Sequence, residues 1–240
     1  MAGVPVYFMI RSTSIDMWRG SLEARANVLP KQAREELPAV TISREALAGA
    51  TTIAHLVAER LNRQMPGKDS CPWTVFDHDL IEKVLKDHKL PEMIKQFMPE
   101  NAVAFSPGKV VEEMLGLHPS EWTLLHHTTD TILRLARMGN VILVGRGANV
   151  ITSGCKKAFH VRLVAPEEVR IKRATELYQL TERDAADFVR EKDRGRQRYV
   201  KSHFKVGIDD PLQYHVTLNT GRISFEAAAQ LIAEAVIFRG

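Results

Sequence analysis

Apolar residues along this chain gather into short unbroken runs, separated by longer stretches in which they recur every three or four positions. AVTIS (39–43) is such a run. A small-residue turn follows it, and then TTIAHLVAERLNRQM, where Ile53, Leu56, Val57 and Leu61 recur at helical spacing. The pattern predicts strand, loop, helix. WTVFD (73–77) predicts a second strand, and residues 79–137 read as mostly helical, broken by Pro91, Pro99, Pro107 and Pro119. NVILVG (140–145) is continuously apolar, as a strand covered on both faces should be. FHVRLVA (159–165) predicts a fourth strand. A long helical region starts at Pro166, where Glu167 and Glu168 suit the positive end of the helix dipole. HVTLN (215–219) predicts a fifth strand, and Ser224 is placed to cap a last helix, FEAAAQLIAEAVIF. Residues 1–38 stand apart: LEARANVLPKQAREELP is polar, of helical character and interrupted by Pro30, and reads as an appendage.

Strands alternating with helices imply right-handed crossovers and a parallel sheet with helices on both faces. The stretch 79–137 is too long for a crossover alone and predicts an inserted helical subdomain, leaving 39–240 as one α/β domain. Ligands of such sheets bind beyond the carboxyl ends of the strands. The residues to read for chemistry therefore follow Ser43, Phe76, Val144, Ala165 and Leu218.

Composition narrows the class. At 240 residues, 45% hydrophobic and 26% charged, the chain can bury a full core and is neither fibrous nor wholly disordered. Two cysteines exclude a disulfide scaffold and a four-cysteine zinc site. No apolar run reaches about 18 residues and the opening segment lacks a basic start, so a soluble cytoplasmic protein is expected. Net charge is +4, but its distribution says more. Of the 33 Lys and Arg, seven lie in REKDRGRQRYVKSHFK (190–205) with two acids; elsewhere 26 positive side chains face 27 negative ones. A basic excess confined to one segment favours a local anionic ligand over a long polyanion such as nucleic acid.

The strand ends carry the candidate chemistry. After the first strand, R-E-A-L-A-G-A-T lies in the frame of the phosphate loop G-x-x-x-x-G-K-[ST]. Gly49 and Thr51 match, Arg44 takes the place of the first glycine and Ala50 that of the lysine. Backbone N–H groups at such a helix start can hold phosphate, and a plain small-residue turn fits the segment as well. Asp77 ends the second strand facing a possible site, while Asp79 reads as a helix cap. Arg146, flanked by Gly145 and Gly147, leaves the third strand where a guanidinium could grip a phosphate in two-pronged fashion. In the basic segment, Arg190, Arg194, Arg198, Lys201 and Lys205 fall within about 80° of one helix face at 100° per residue, and Arg196 lies on another. A solvated face would show the same pattern, yet arginine dominates, and arginine is the better polyphosphate ligand. The segment therefore also fits a basic lid closing over phosphates.

Taken in order, these segments resemble the cytidylate kinase-like family of P-loop nucleotide kinases, from about Ala39 to the C-terminus. The resemblance rests on TISREALAGATTIAHLVAERL, FDHDLI, NVILVGRGANVI, FHVRLVAPEEVRIKRATE, KDRGRQRY and LNTGRISFEAAAQLI. It implies a P-loop NTPase-type five-stranded parallel sheet with helices on both faces. It also implies a helical monophosphate-binding insertion (about 79–137), an arginine-rich lid (about 190–205) and transfer of the ATP γ-phosphoryl to CMP or dCMP with Mg²⁺. Carried over by position, Arg44 and the backbone of Ala48, Gly49, Ala50, Thr51 and Thr52 would cradle ATP phosphates, with Thr51 approaching Mg²⁺. Gly145, Arg146 and Gly147 would hold the acceptor phosphate and Asp77 would orient the acceptor. Arg194, Arg196 and Arg198, helped by Arg44, would neutralise charge on the transferring group. The chain departs from cytidylate kinases at Ala50, where they have the loop lysine, and at Gly147, where they carry aspartate, and from the kinase-like family at Leu47 and Ala50, where its loop usually has glycine. Two other functions compete with a nucleoside monophosphate kinase: a nucleotide-binding regulatory pseudokinase, which Ala50 favours, and a nucleic-acid binder using the basic helix.

Overall fold

A computed structural model describes residues 37–65, 72–77 and 121–239, with side chains from residue 129 onward in the last stretch. The predicted appendage up to residue 36 and the greater part of the predicted insertion, 78–120, lie outside the described residues. Five strands form one sheet: β1 (Ala39–Arg44), β2 (Thr74–Phe76), β3 (Val141–Val144), β4 (Ala158–Val164) and β5 (Val216–Asn219). All pairings are parallel and the order is β2-β3-β1-β4-β5. The helices are α1 (Ala50–Gln64), α2 (Glu121–Met138), α3 (Ala148–Ile151), α4 (Glu167–Tyr178), α5 (Glu182–Phe204) and α6 (Phe225–Arg239).

Side-chain alternation along β1 sorts the two faces. Val40 and Ile42 join Ile53, Val57 and Leu61 of α1 and Ile232 and Val236 of α6 in the main core, completed by Val161 and Leu163 of β4. Ala39, on the opposite face, meets Leu135 and Ile132 of α2 together with Phe76, Val141 and Leu143. The β3 run is buried throughout, as its unbroken apolar pattern predicts. Further along that second face the sheet turns polar. Register places Thr41 beside His160 and Ser43 beside Arg162. These buried neighbours satisfy each other across the ladder: the Thr41 hydroxyl lies 2.9 Å from His160 Nδ1, and Arg162 donates to Ser43 Oγ at 3.0 Å.

The long helical region after Pro166 is two helices. Gln179 takes a left-handed conformation at the end of α4, and Thr181 caps α5 by accepting from the Asp184 N–H at 3.2 Å. The resulting hairpin brings Ala174, Ala185 and Val189 against Ala46 in a third apolar cluster, with Leu47 beside it. Ser224 caps α6 as expected, accepting from the Ala227 N–H at 3.1 Å.

Candidate functional site

The β1–α1 loop is held in shape from its outer side. Gly49 caps α1 at φ 81°, and Phe225 lies so close that an added Cβ would sit 2.3 Å from its ring. The Arg173 guanidinium lies over the Phe225 ring, 4.8 Å from its centroid, and donates to the Leu47 carbonyl at 3.0 Å. Thr220, after β5, donates to the Ala48 carbonyl at 3.1 Å. Glu45 reaches sideways to accept from the Ala165 N–H at 2.9 Å. Leu47 has φ 58°, a conformation that costs an L-residue about 1–2 kcal/mol and that glycine adopts freely. The departure from the family glycine at this position is thus accommodated by backbone strain, and its side chain packs against the α4–α5 cluster.

The loop opens toward a group of arginines at the carboxyl ends of β1, β3 and β4. Arg44 ends β1 with its Nη1 sealed from solvent and without a hydrogen-bond partner. Burial pushes its pKa down to about 10, and the nearby charges of Arg196, Arg146 and Arg162 press the same way, while Asp77 opposes them. Arg196 is likewise lowered, by burial first; Asp193 opposes this, and Arg146, Arg162 and Arg170 add to it. Arg162 is buried, with Nη2 on Asp209 at 2.8 Å and its Nε without a partner. Several cations held together in a partly desolvated place are costly unless an anion joins them.

The predicted Gly145–Arg146–Gly147 turn lies beside this group. Gly147 caps α3 at φ 76° with Phe204 pressed on its Cα, so an added Cβ would sit 2.2 Å from that ring. Gly145 meets no such neighbour. The Arg146 guanidinium stacks 4.3 Å from the Tyr199 centroid. Tyr199 and Phe204 both belong to α5, the predicted lid. This helix therefore spans the site: its first half docks on the loop through Ala185 and Val189, and its second half docks on the Arg146 turn. Within it the three predicted arginines part company. Arg196 points inward, whereas Arg194 and Arg198 are exposed with the rest of the basic stripe. Arg194 donates to the Arg190 carbonyl of its own helix at 3.3 Å, and Arg190 pairs with Glu167 at 2.8 Å.

Ala50, in the lysine position of the loop pattern, is buried in the main core. Thr51 and Thr52 follow in the first turn of α1, both half-buried. Asp77 stands directly after β2, within electrostatic reach of Arg44. Among the described residues no cluster of three or more His, Cys, Asp or Glu side chains could hold a metal unaided. A magnesium ion needs no such cage: it keeps water and takes one or two protein oxygens together with substrate phosphates. The Thr51 hydroxyl, in the first turn of α1, is an oxygen donor of that kind. Sequence patterns did not single out Arg170, Arg173, Asp193 or Tyr199 as parts of the site. Arg162 had one signal, a cation in mid-strand within FHVRLVA.

The family model described as the cytidylate kinase-like family matches residues 39–222. A search among curated proteins finds no match. Among solved structures, an uncharacterized protein from Eubacterium ventriosum ATCC 27560 aligns with TM-score 0.62 at 19% identity, over 85% of this chain and 99% of that one. Shikimate kinase from Bacteroides thetaiotaomicron aligns with TM-score 0.46 at 15% identity, over 83% and 98%. Dephospho-CoA kinase from Campylobacter jejuni aligns with TM-score 0.38 at 12% identity, over 84% and 98%. Among the described residues no helix is long and apolar enough to cross a membrane. With a five-stranded parallel sheet, a glycine-capped loop after its central strand and a family-model match over most of its length, the chain belongs to the cytidylate kinase-like family.

Proposed function

We propose that this protein transfers the γ-phosphoryl group of ATP to a pyrimidine nucleoside monophosphate resembling CMP or dCMP. The observation that carries the reading is the convergence of Arg44, Arg146 and Arg196 at the sheet's carboxyl edge, between the β1–α1 loop and the β3–α3 turn. Phosphoryl transfer asks little covalent chemistry of a protein; it asks for alignment and for positive charge around the transferring group. In this reading the loop amides near Gly49 receive the ATP phosphates, and Arg44 stands in for the missing lysine. Arg146, fixed by Tyr199, holds the acceptor phosphate, and Asp77 orients the acceptor. Arg196, inside the site, neutralises charge developing between donor and acceptor. Mg²⁺, with Thr51 as its protein oxygen ligand, would supply further charge neutralisation at the phosphates.

ATP turnover measured against a panel of nucleoside monophosphates tests this. Activity should be highest with CMP or dCMP. Arg196→Ala should lower kcat by about 10³, the scale of an arginine acting on the transition state. Arg194→Ala and Arg198→Ala should stay within a few-fold of the parent. A second reading, a nucleotide-binding regulator without efficient catalysis, is favoured by Ala50, buried where the lysine of the phosphate-loop pattern would stand. Normal ATP binding with no turnover on any monophosphate would establish it and defeat the first.

A further inference from the structure

One loop amide already has an anion. The Ala46 N–H donates to Asp193 Oδ1 at 2.7 Å, the length of a charge-assisted bond. Ala46 lies in the segment between Arg44 and Gly49, where a phosphate loop turns its N–H groups to its ligand. Asp193 itself comes from α5, the helix that spans the site. Its other carboxylate oxygen pairs with Arg170 of α4, and Oδ1 also accepts from Arg196 at 3.4 Å. A single carboxylate thus gathers a backbone N–H and two guanidinium groups, the donor set that would recognise a phosphate oxygen. Close by, Arg44 Nη1 remains buried and without a partner.

We infer that Asp193 is a placeholder for phosphate: its carboxylate occupies the Ala46 amide and Arg196, and a polyphosphate competes with it for those donors. The inference rests on the nucleotide-kinase reading of the site and adds to it an internal competitor carried by the spanning helix. In the ligand-free protein the contact clamps α5 to the loop and balances Arg196 and Arg170. When phosphate arrives, Arg196 exchanges a carboxylate oxygen for a phosphate oxygen, and Arg170 keeps Glu45, which lies 3.3 Å away. Affinity for phosphate is then lower than the bare donors would give, because the carboxylate must be displaced first.

Inorganic tripolyphosphate and ATP serve as probes, with calorimetry on the parent and on Asp193→Asn. The amide side chain keeps the shape and one acceptor oxygen for Ala46 but gives up the charge. The variant should bind tripolyphosphate about tenfold more tightly, the scale of one charge-assisted hydrogen bond released from competition. Adding Arg196→Ala to Asp193→Asn should erase most of that gain. Equal or weaker binding by Asp193→Asn, with the parent binding ATP normally, would overturn the inference and leave the kinase reading standing. An independent check uses the parent alone, labelled with ¹⁵N-alanine, the Ala46 resonance being assigned by its loss in Ala46→Gly. Tripolyphosphate should shift the Ala46 amide; an unmoved amide at saturation would also overturn the inference. No binding of either probe to the parent would defeat the nucleotide reading, and this one with it.

Discussion

A guanidinium N–H sealed from water without a partner lowers stability, by about 1–3 kcal/mol for a typical buried unpaired polar group. Arg44 is in that position, and its nearest charges are mostly of its own sign. Evolutionary convenience does not explain it, since the loop pattern ordinarily has glycine there. A binding role does: stability is given up where a ligand will later supply the missing charge. Arg44→Met keeps the apolar stem and removes the charge. It should raise the melting temperature of the ligand-free protein by about 2–4 °C, the scale of 1 kcal/mol for a chain of this size. It should also abolish the further rise that tripolyphosphate gives the parent. Thermal scans with and without tripolyphosphate decide this. A lower melting temperature in the ligand-free variant would mean that Arg44 is a structural cation balanced by Asp77. Sequence pattern alone placed Arg44, Gly49 and Arg146 at strand ends, because strand ends follow from where apolar runs stop. It could not place Arg162 or Asp193, because their roles depend on which strand and which helix lie alongside.

At the scale of the element, α5 shows how far periodicity reaches. The spacing of Arg190, Arg194, Arg198, Lys201 and Lys205 predicts one face, and that face is exposed. Arg196, on another face, is the arginine that enters the site. Which face turns inward is set by Ala185, Val189 and Val200, the buried residues of the helix. The break before α5 is marked in the chain by T-E-R-D, a capping pattern set among polar neighbours that mask it. Gly195 sits in mid-helix, between the segment docked on the loop and the segment docked on Arg146. A Cβ there would meet nothing within 4 Å, so no close approach demands glycine. Its helical cost relative to alanine is about 1 kcal/mol. Gly195→Ala should therefore stabilise the protein by about that amount in urea unfolding. An unchanged or lowered midpoint would indicate that α5 bends at Gly195 in a way an alanine cannot follow.

For the whole molecule, the parallel class and the five strands were legible, since apolar runs alternate with helical stretches. The strand order was not, because it is decided by which long-range pairs form. One of those pairs has a consequence for pH. His160 of β4 meets Thr41 of β1 at Nδ1, and its backbone N–H donates to His215 Nδ1 at 2.9 Å beside β5. Burial pushes the His160 pKa down to about 4, with His215 and Arg239 adding in the same direction; His215 is lowered too, chiefly by burial. A folded-state value below the ordinary 6.5 means that, between about pH 6.5 and 4, the unfolded chain takes up a proton that the native protein refuses. The contribution of His160 is complete above pH 6.5 and is lost on acidification toward pH 4, with a slope approaching about 1.4 kcal/mol per pH unit. His160→Gln cannot titrate but keeps polar atoms for Thr41. Urea unfolding of both proteins at pH 7, 6, 5 and 4.5 should show the parent losing stability more steeply than the variant, with the gap opening below pH 6.5. Parallel curves would mean that His160 takes up its proton as readily in the native sheet as in the unfolded chain, and that the contact joining β1, β4 and the approach to β5 does not depend on a neutral ring.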